Sequence, residues 1–417
     1  MRSFCILIFC APLMAAQALP DRVTIDQAVK EALEKNLGLL AERYNISIAD
    51  ARIVTARLRP NPVLTLDTDY LDILGTGFST KNQAGPGEVS ARTDFVLERG
   101  GKRERRIEVA DNARAVAQLQ LLNTTRTLLM DVQSAFIDVL LAKESLALAG
   151  ENLKSFESIV NINTPRVRAG DLAKVELVRS QVAALQFRNA VRQAESKLRV
   201  AGNRLQSLMG RRLLSPDFDA VGDLRRESGP VTVEDVRTRA LELRPDLLAL
   251  NRDQARSQAD LRLQIAQGKV DYTIGTQYHR QFWNARGNSL GIFFSAPLPV
   301  FNKNQGEIER ARQEGQQIQA KIRALQNDIG TEVQNAYQQY GTAKVLLESF
   351  EKDMLVQARE VRETTLYSYR RGEASFVELL DAQRAFNDTM QGYNEARAEY
   401  ARSLYLIDSI SGKVVNP

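Results

Sequence analysis

A stretch of about sixty residues without proline, from Lys102 to about Asn163, constrains the fold of this 417-residue chain most strongly. Apolar residues recur at every seventh position, which predicts helices that coil around neighbouring helices, and alanines on the same face let the helix axes approach closely. At 1.5 Å per residue the rod would be about 90 Å long, which exceeds any globular core. The repeat positions are Val132, Val139, Leu146, Leu153, Val160 and Val167, with Leu128, Ala135, Ala142, Ala149 and Phe156 as companions.

The sequence predicts an internal twofold repeat, because one pattern occurs in both halves. The first copy spans 19–210 and the second 231–412, with a linker at 211–230 that lacks helical periodicity and a tail at 413–417. The first copy carries about seven extra residues, by comparison of the two copies, within a polar stretch at 72–88 that reads as a longer loop. The heptad positions of the second copy are Val333, Tyr340, Leu347, Met354 and Val361, with Ala336, Ala343 and Phe350 as companions.

Each copy also contains two segments in which apolar and polar residues alternate, which predicts strands at about 62–71 and 89–98 and at about 270–279 and 289–298. A barrel wall with lipid outside and water inside requires this alternation, but an ordinary half-buried antiparallel sheet shows it as well. An open sheet edge cannot face lipid, and four strands cannot close a barrel. A barrel would therefore need several chains.

The long helices are predicted to belong to two helical hairpins, at 102–210 and 303–412, each with a tight basic turn. The turns are placed at 165–171 and 368–375, where Gly170 and Gly372 suit the left-handed residue that follows a helix. Asp171 and Ser375 can start the returning helices.

The N-terminus has the features of a secretory signal over 1–18: Arg2, a short apolar run and a small-x-small cleavage pattern. Both cysteines, Cys5 and Cys10, lie within it, so the mature chain is predicted to have no disulfide. Lipidation of Cys10 is the alternative, although Phe9 precedes it where a small residue is expected.

The composition gives no indication of an enzyme or a nucleic-acid-binding protein. The net charge of +5 comes from interleaved acidic and basic residues, with no basic block. His279 is the single histidine and is expected on a strand, so neither a catalytic triad nor an ordinary zinc or copper site can be assembled. We therefore predict no catalytic residues, no metal site and no cofactor.

From 24 to 412 the chain resembles the TolC-type outer-membrane efflux family. Its heavy-metal branch, the CzcC-like cobalt-zinc-cadmium components, is similar in the two strand-to-helix turns, although Arg99 stands where that branch usually has an apolar residue. The turns read LERGGKR at 97–103 and PLPVFNKNQG at 297–306.

The resemblance implies a mixed α and β membrane protein. Four strands per chain would contribute to a twelve-stranded β-barrel shared by a homotrimer in outer-membrane lipid. The long coiled hairpins would form an α-barrel in the periplasm, which docks on a periplasmic adaptor (membrane fusion) protein and an inner-membrane RND-type pump.

The resemblance also implies two sets of site residues. A ring of carboxylates would constrict the periplasmic end, and a ring of like charges favours cations. The matching positions are Glu378 and Asp381, with Glu176 as the equivalent of Glu378 in the first copy; the alternative is that they are solvated charges on a helix surface. The adaptor would contact the hairpin tips at Arg168, Gly170, Asp171, Arg371, Gly372 and Ser375, which are otherwise ordinary turn residues.

Three functions thus remain open at this point. The first is a passive efflux duct for heavy-metal cations. The second is a periplasmic coiled-coil adaptor or scaffold without a barrel. The third is an outer-membrane duct that secretes small molecules or proteins, because the pump largely selects the cargo.

Overall fold

The computed structural model describes residues 21–71, 73–75, 77, 87–226, 232–282 and 287–413. The predicted signal segment, residues 227–230 of the predicted linker, most of the predicted longer loop and residues 414–417 of the tail lie outside the described residues. Two helices, two strands and a long helical hairpin follow one another in each half of the chain.

The elements are numbered in chain order. The first half contains β1 (Asp21–Val23), α1 (Ile25–Lys35), α2 (Leu37–Arg57), β2 (Val63–Asp69), β3 (Glu88–Leu97), α3 (Lys102–Ala169), α4 (Lys174–Leu208) and β4 (Phe218–Ala220). The second half contains α5 (Val233–Leu243), α6 (Pro245–Gln267), β5 (Tyr272–Gln281), β6 (Gly287–Ser295), α7 (Gln305–Ser349), a π-helical turn (Phe350–Met354), α8 (Leu355–Arg371) and α9 (Phe376–Ile410).

The four predicted strands form one antiparallel sheet in the order β2-β3-β5-β6. Its register aligns the apolar residues of all four strands on one face. Leu66 pairs with Ala91, Ala91 with Tyr278, and Tyr278 with Leu290. This face is open in the single chain: Leu66 is 71% exposed and Leu290 85% exposed.

The other face of the sheet is polar and internally hydrogen-bonded. Gln277 donates to the hydroxyl of Ser90 at 2.7 Å, and Ser90 donates to Asp67 at 3.3 Å. His279 lies on this face, as its place in β5 dictates, with Nε2 2.8 Å from an oxygen of Glu88. The two faces therefore differ in chemistry as the alternation predicts.

The first long helix continues further than the sequence suggested. α3 has 68 residues and contains Pro165, which lies in the turn predicted from the sequence. An interior proline removes one helical hydrogen bond and clashes with the carbonyl four residues earlier, which disfavours a helix. α3 nevertheless continues for four residues beyond Pro165. The helix ends at Gly170, which has the left-handed conformation with a φ of +85°.

The second long helix departs from regular α geometry at the π-helical turn, which the sequence did not predict. The seven-residue register holds for Val333, Tyr340 and Leu347, which are buried, but fails beyond them: Met354 is 42% exposed and Val361 is 53% exposed. A π turn inserts one residue and rotates everything after it by roughly 100°. Residues 368–371 were predicted as a turn but are helical. As in α3, the helix continues up to a left-handed glycine, which here is Gly372.

A second, two-stranded sheet was also missed. β1 pairs in parallel with β4, which lies in the predicted linker. Arg211 secures this region, because its guanidinium donates to both oxygens of Glu31 at 3.0 and 2.8 Å and also to Asp21. The cluster around these strands includes Val23, Leu39, Val132, Phe136, Leu205 and Met209.

Among the described helices, none carries an apolar run long enough to cross a lipid bilayer.

Candidate functional site

The ends of the two hairpins pack against each other through a shared apolar cluster. Phe156 stacks on Phe187 with ring centroids 4.5 Å apart and meets the edge of Phe376 at 6.4 Å. The buried members are Phe156, Ile159, Ala183 and Ala184 from the first hairpin and Tyr369, Phe376 and Leu379 from the second. Because the cluster draws on both hairpins, neither end can move without disturbing the other.

The two turns have the same backbone design. In the first, the amide of Gly170 donates to the carbonyl of Val167 at 3.2 Å, and Asp171 donates to Arg166 at 2.9 Å. In the second, Gly372 donates to Tyr369 at 3.1 Å and Glu373 to Ser368 at 2.9 Å. Both glycines have positive φ, which confirms their predicted role as left-handed caps.

The starts of the returning helices differ. Ser375 caps α9, as predicted: its hydroxyl accepts from the amide of Glu378 at 3.3 Å, while Glu378 accepts from the amide of Ser375 at 2.7 Å. This reciprocal pair is a capping box. The prediction for Asp171 was wrong, because Ala173 precedes α4 and has no side chain that could cap it.

Glu378 therefore has a structural task besides any gating role. Hydrogen bonds from the backbone and hydroxyl of Ser375 lower the pKa of Glu378 from its ordinary value of 4.5, because they favour the ionised carboxylate. The side chain is exposed and remains negatively charged at neutral pH.

The two other predicted gate carboxylates are in different surroundings. Asp381 lies one turn further along α9, with its side chain 67% exposed and one oxygen 3.9 Å from Arg384. Glu176, in the first turn of α4, pairs with Arg179 at 2.9 Å. The second oxygen of Glu176 is buried and has no hydrogen-bond partner among the described residues. Two of the three carboxylates thus face solvent, and the third is partly turned inward.

The predicted tip residues are exposed. Arg168 has no ion pair among the described residues. Arg371 donates to the hydroxyl of Tyr367 at 2.8 Å and lies 3.3 Å from Glu373. No group of three or more His, Cys, Asp or Glu side chains placed to hold a metal ion occurs in the described ranges.

The sequence profile described as "outer membrane efflux protein" matches residues 28–211 and 236–413, which is most of the chain. The chain belongs to this family. Outer membrane efflux proteins are passive channels and not enzymes.

The cobalt-zinc-cadmium resistance protein CzcC of Cupriavidus metallidurans is 25% identical over 393 residues, covering 94% of this chain and 90% of CzcC. The crystal structure of CusC superposes with a TM-score of 0.75 at 16% identity, covering 93% of this chain and 92% of that one. A membrane protein from Pseudomonas aeruginosa gives 0.79 at 17% identity, with the same coverage. The structural matches support the efflux-channel fold, and the similarity to CzcC agrees with the branch indicated by the two turns.

The two turns that resemble the heavy-metal branch have a clear physical basis in this efflux protein. Gly101 and Asn304, both left-handed, immediately precede α3 and α7. Lys102 is buried and donates to Asp271 at 2.7 Å and to the carbonyl of Lys269 at 2.8 Å. The side-chain amide of Asn304 donates to the carbonyl of Gln264 at 2.8 Å. These bonds join the starts of α3 and α7 to the end of α6 and to the turn that precedes β5.

Several interactions at the helical core are not predictable from the sequence. Arg126 donates to the carbonyl of Ser409 at 3.2 Å, and Arg244 pairs with Asp246 at 2.6 Å and with Glu332. Both arginines are buried, and they join α3, α6, α7 and the end of α9. Arginines spaced among ordinary surface charges carry no local signal of burial, so only the packed structure identifies them.

Proposed function

We propose that three copies of this chain form a passive duct through the outer membrane and into the periplasm, with the N-terminal segment as its export signal. The sheet is the observation that carries the proposal. Its apolar face is open, and its edge strands β2 and β6 have no partner within the described chain. An open edge is not tolerated in lipid, so neighbouring copies must pair β6 with β2 until the sheet closes. Three chains give the twelve strands that the family resemblance implies.

The helices next to the sheet support the same closure. α2 packs on α3, α3 on α6, and α6 on α7, so that α2 and α7 are the edges of a helical layer. The α2 edge exposes apolar residues at helical spacing, which suits packing against another helix. These residues are Leu37, Leu40, Tyr44 and Ile48, between 43% and 61% exposed. In our proposal a neighbouring α7 covers them, and the helices form a closed tunnel.

The hairpin ends are the periplasmic end of this duct. In the proposal Glu378 and Asp381, exposed on α9, form a ring of six carboxylates in the trimer, by counting two per chain, and Glu176 adds to the negative potential around it. The tips at Arg168, Gly170, Asp171, Arg371, Gly372 and Ser375 contact a periplasmic adaptor, which connects the duct to an inner-membrane RND-type pump.

For the cargo we propose heavy-metal cations. The similarity to CzcC, a cobalt-zinc-cadmium resistance protein, supports this choice, as does the negative charge at the proposed gate. A duct of this kind guides ions by potential and does not need a tight coordination site, because the pump supplies the energy.

Membrane fractionation tests the assembly. The expressed protein is expected in the outer-membrane fraction, migrating in unheated gels near three times the mass of the 46.6 kDa precursor and as a monomer after boiling. A soluble periplasmic monomer would contradict the duct and favour the adaptor or scaffold function instead.

Growth assays test the cargo separately. A strain that lacks the gene should become sensitive to cobalt, zinc or cadmium salts and recover when the gene is restored. Unchanged metal sensitivity combined with new sensitivity to organic compounds, or with loss of a secreted protein, would favour the secretion duct.

A further inference from the structure

The helix-side end of the sheet carries an excess of cations without carboxylate partners. Within the described ranges, no carboxylate lies at ion-pair distance from any of them. Three acids lie near these cations. Glu98 pairs with Arg106 and Asp271 pairs with Lys102, which leaves Glu104 without an ion pair among the described residues. The cations are Arg57, Arg59, Arg99, Arg103, Lys269 and Lys303.

These cations belong to one level of the molecule. The guanidinium of Arg103 donates to the carbonyl of Arg57 at 2.7 Å, and the stem of Lys269 lies against Gly100, where an added Cβ would be 2.8 Å from its Cδ. Arg99 covers the ring of Tyr272, with its guanidinium carbon 4.3 Å from the ring centroid. The side chains thus surround the turn between sheet and long helices.

Two grooves open at this level on either side of Lys102. One has a volume of about 310 Å³ and is lined by Arg59, Leu97, Arg103 and Glu104 among others. The second, of about 480 Å³, is lined by Lys269, Leu298, Phe301 and Asn302 among others.

The same level exposes large apolar side chains. Phe301 is 91% exposed, Leu298 83% and Val300 67%. They continue the open apolar face of the sheet, on which Phe294 is 66% exposed, so that an apolar band ends in a belt of cations. The opposite end of the sheet carries both signs of charge, because Asp69 and Glu88 lie there together with Arg280.

We infer that this belt binds the headgroups of anionic glycerophospholipids in the periplasmic leaflet, with phosphate in the cationic grooves and acyl chains against Leu298, Val300 and Phe301. The inference rests on the proposed membrane location of the sheet. Apolar side chains that border unpaired cations match a lipid, which has an apolar tail below an anionic phosphate. A neutral membrane surface would leave the cations without counter-charges.

The proposed trimer makes the belt continuous. Arg59 precedes β2 and Lys303 follows β6, and these are the two strands that meet between neighbouring copies. Cations from two copies would face each other at each junction, and a bound phosphate relieves their repulsion. The protein therefore gains a preference for anionic lipid at three equivalent junctions.

The test uses purified full-length protein in detergent, with phosphatidylglycerol or phosphatidylcholine added. Native mass spectrometry counts the lipids retained, and thermal unfolding reports their effect on stability. The wild type should retain phosphatidylglycerol preferentially and unfold at a higher temperature in its presence. The variant R59Q/K269Q/K303Q should lose this preference, with a fall in affinity of roughly fivefold for each cation removed.

The matched control is K321Q/R323Q/K344Q, which removes three exposed cations of α7 that have no ion pair within the described chain. It should behave as the wild type. Equal retention of both lipids by the wild type, or an unchanged preference in R59Q/K269Q/K303Q, would overturn the inference. Stabilisation by inorganic phosphate as large as that by phosphatidylglycerol would also overturn it, since a free anion would then suffice.

Gel migration separates the two proposals. An assembled, heat-sensitive trimer without lipid preference would remove the lipid belt and leave the duct intact. Loss of the trimer and of the outer-membrane fraction in the wild type would remove both.

Discussion

The hydroxyl of Tyr369 in the second hairpin donates a hydrogen bond of 2.9 Å to the amide oxygen of Asn163 in the first. Both residues are buried, Tyr369 at 3% and Asn163 at 0% exposure. Burial raises the pKa of Tyr369, so the phenol is neutral at physiological pH and able to donate. The bond joins the two hairpins close to the proposed gate.

Replacement of Tyr369 by phenylalanine should weaken this connection. The change leaves the oxygen of Asn163 buried and unpaired, which costs roughly 1–3 kcal/mol. Thermal unfolding in detergent and proteolysis of the hairpin ends measure the effect. Y367F is the matched control, because Tyr367 is 58% exposed and water can replace its lost bond. Equal stability of Y369F and Y367F would show that the buried bond contributes nothing.

A test of the proposed gate requires a variant that removes the charges of Glu378 and Asp381 but keeps the capping box. In E378Q/D381N, glutamine can still accept the amide hydrogen bond of the capping box, as Gln27 does at the start of α1, where it accepts from Thr24 at 2.9 Å. We expect higher single-channel conductance and weaker cation preference in planar bilayers. The alanine pair E378A/D381A should change both in the same direction but also destabilise α9.

The control for the gate is D388N, because Asp388 is exposed further along α9. It should conduct as the wild type does. Wild-type conductance and selectivity in E378Q/D381N would remove both carboxylates from the gate.

Substitutions at Gly372 test the proposed docking of an adaptor at the hairpin tip. G372W should abolish resistance to heavy-metal salts while the trimer remains assembled, because the indole would occupy the exposed tip. G372A controls for the strain of a side chain at φ +82°, and G372N for polarity in a conformation that asparagine tolerates. Both should retain most resistance. Normal resistance in G372W would contradict docking at this tip, and loss in G372A alone would attribute the effect to the backbone.

The close approach of α9 to the π-helical turn depends on Gly392. A Cβ at this position would lie 2.7 Å from Cζ of Phe350, so G392L should destabilise the hairpin by roughly 1–3 kcal/mol through overpacking. F350A should partly rescue G392L when the two are combined. G341L is the control, because nothing lies within 4 Å of a Cβ there. Thermal unfolding that does not distinguish G392L from G341L would show that the packing is tolerant.

Glu31 should give the core an acid-dependent stability. Hydrogen bonds from Arg211 are the largest cause that lowers the pKa of Glu31 from 4.5. A lowered folded pKa contributes stability that is complete above pH 4.5 and is lost as the pH falls through the folded value. E31Q should therefore be less stable than the wild type at pH 7, and the difference should shrink below about pH 4.5. E34Q, at an exposed position, should show no such convergence.

Local chemistry made much of this fold predictable. Alternation over β3 and β5 identified strands, because a side-chain period of two is a property of the backbone. Gly170 and Gly372 identified the hairpin ends for a similar reason, since a left-handed residue after a helix is nearly always glycine. The capping box of Ser375 and Glu378 is also local, but its reading as a gate comes from the family resemblance and stays a prediction.

The remaining features depend on distant contacts. The π-helical turn is accommodated by Gly392, about forty residues away along the chain, and no pattern within 350–354 indicates it. β4 has three residues and becomes a strand only because β1 lies beside it. Asn163 lies seven residues after Phe156 but is polar where the heptad pattern has apolar residues, so the sequence alone does not show that Tyr369 of the other hairpin binds it.

The π-helical turn makes the two hairpins of one chain distinguishable, since α3 has no such turn. A ring of three chains would then carry six hairpin ends of two alternating kinds. A partner that recognises only one kind of hairpin end has three equivalent binding positions, whereas a partner that binds both kinds has six. The number of partner copies bound per ring therefore reports whether the partner distinguishes between the two hairpins.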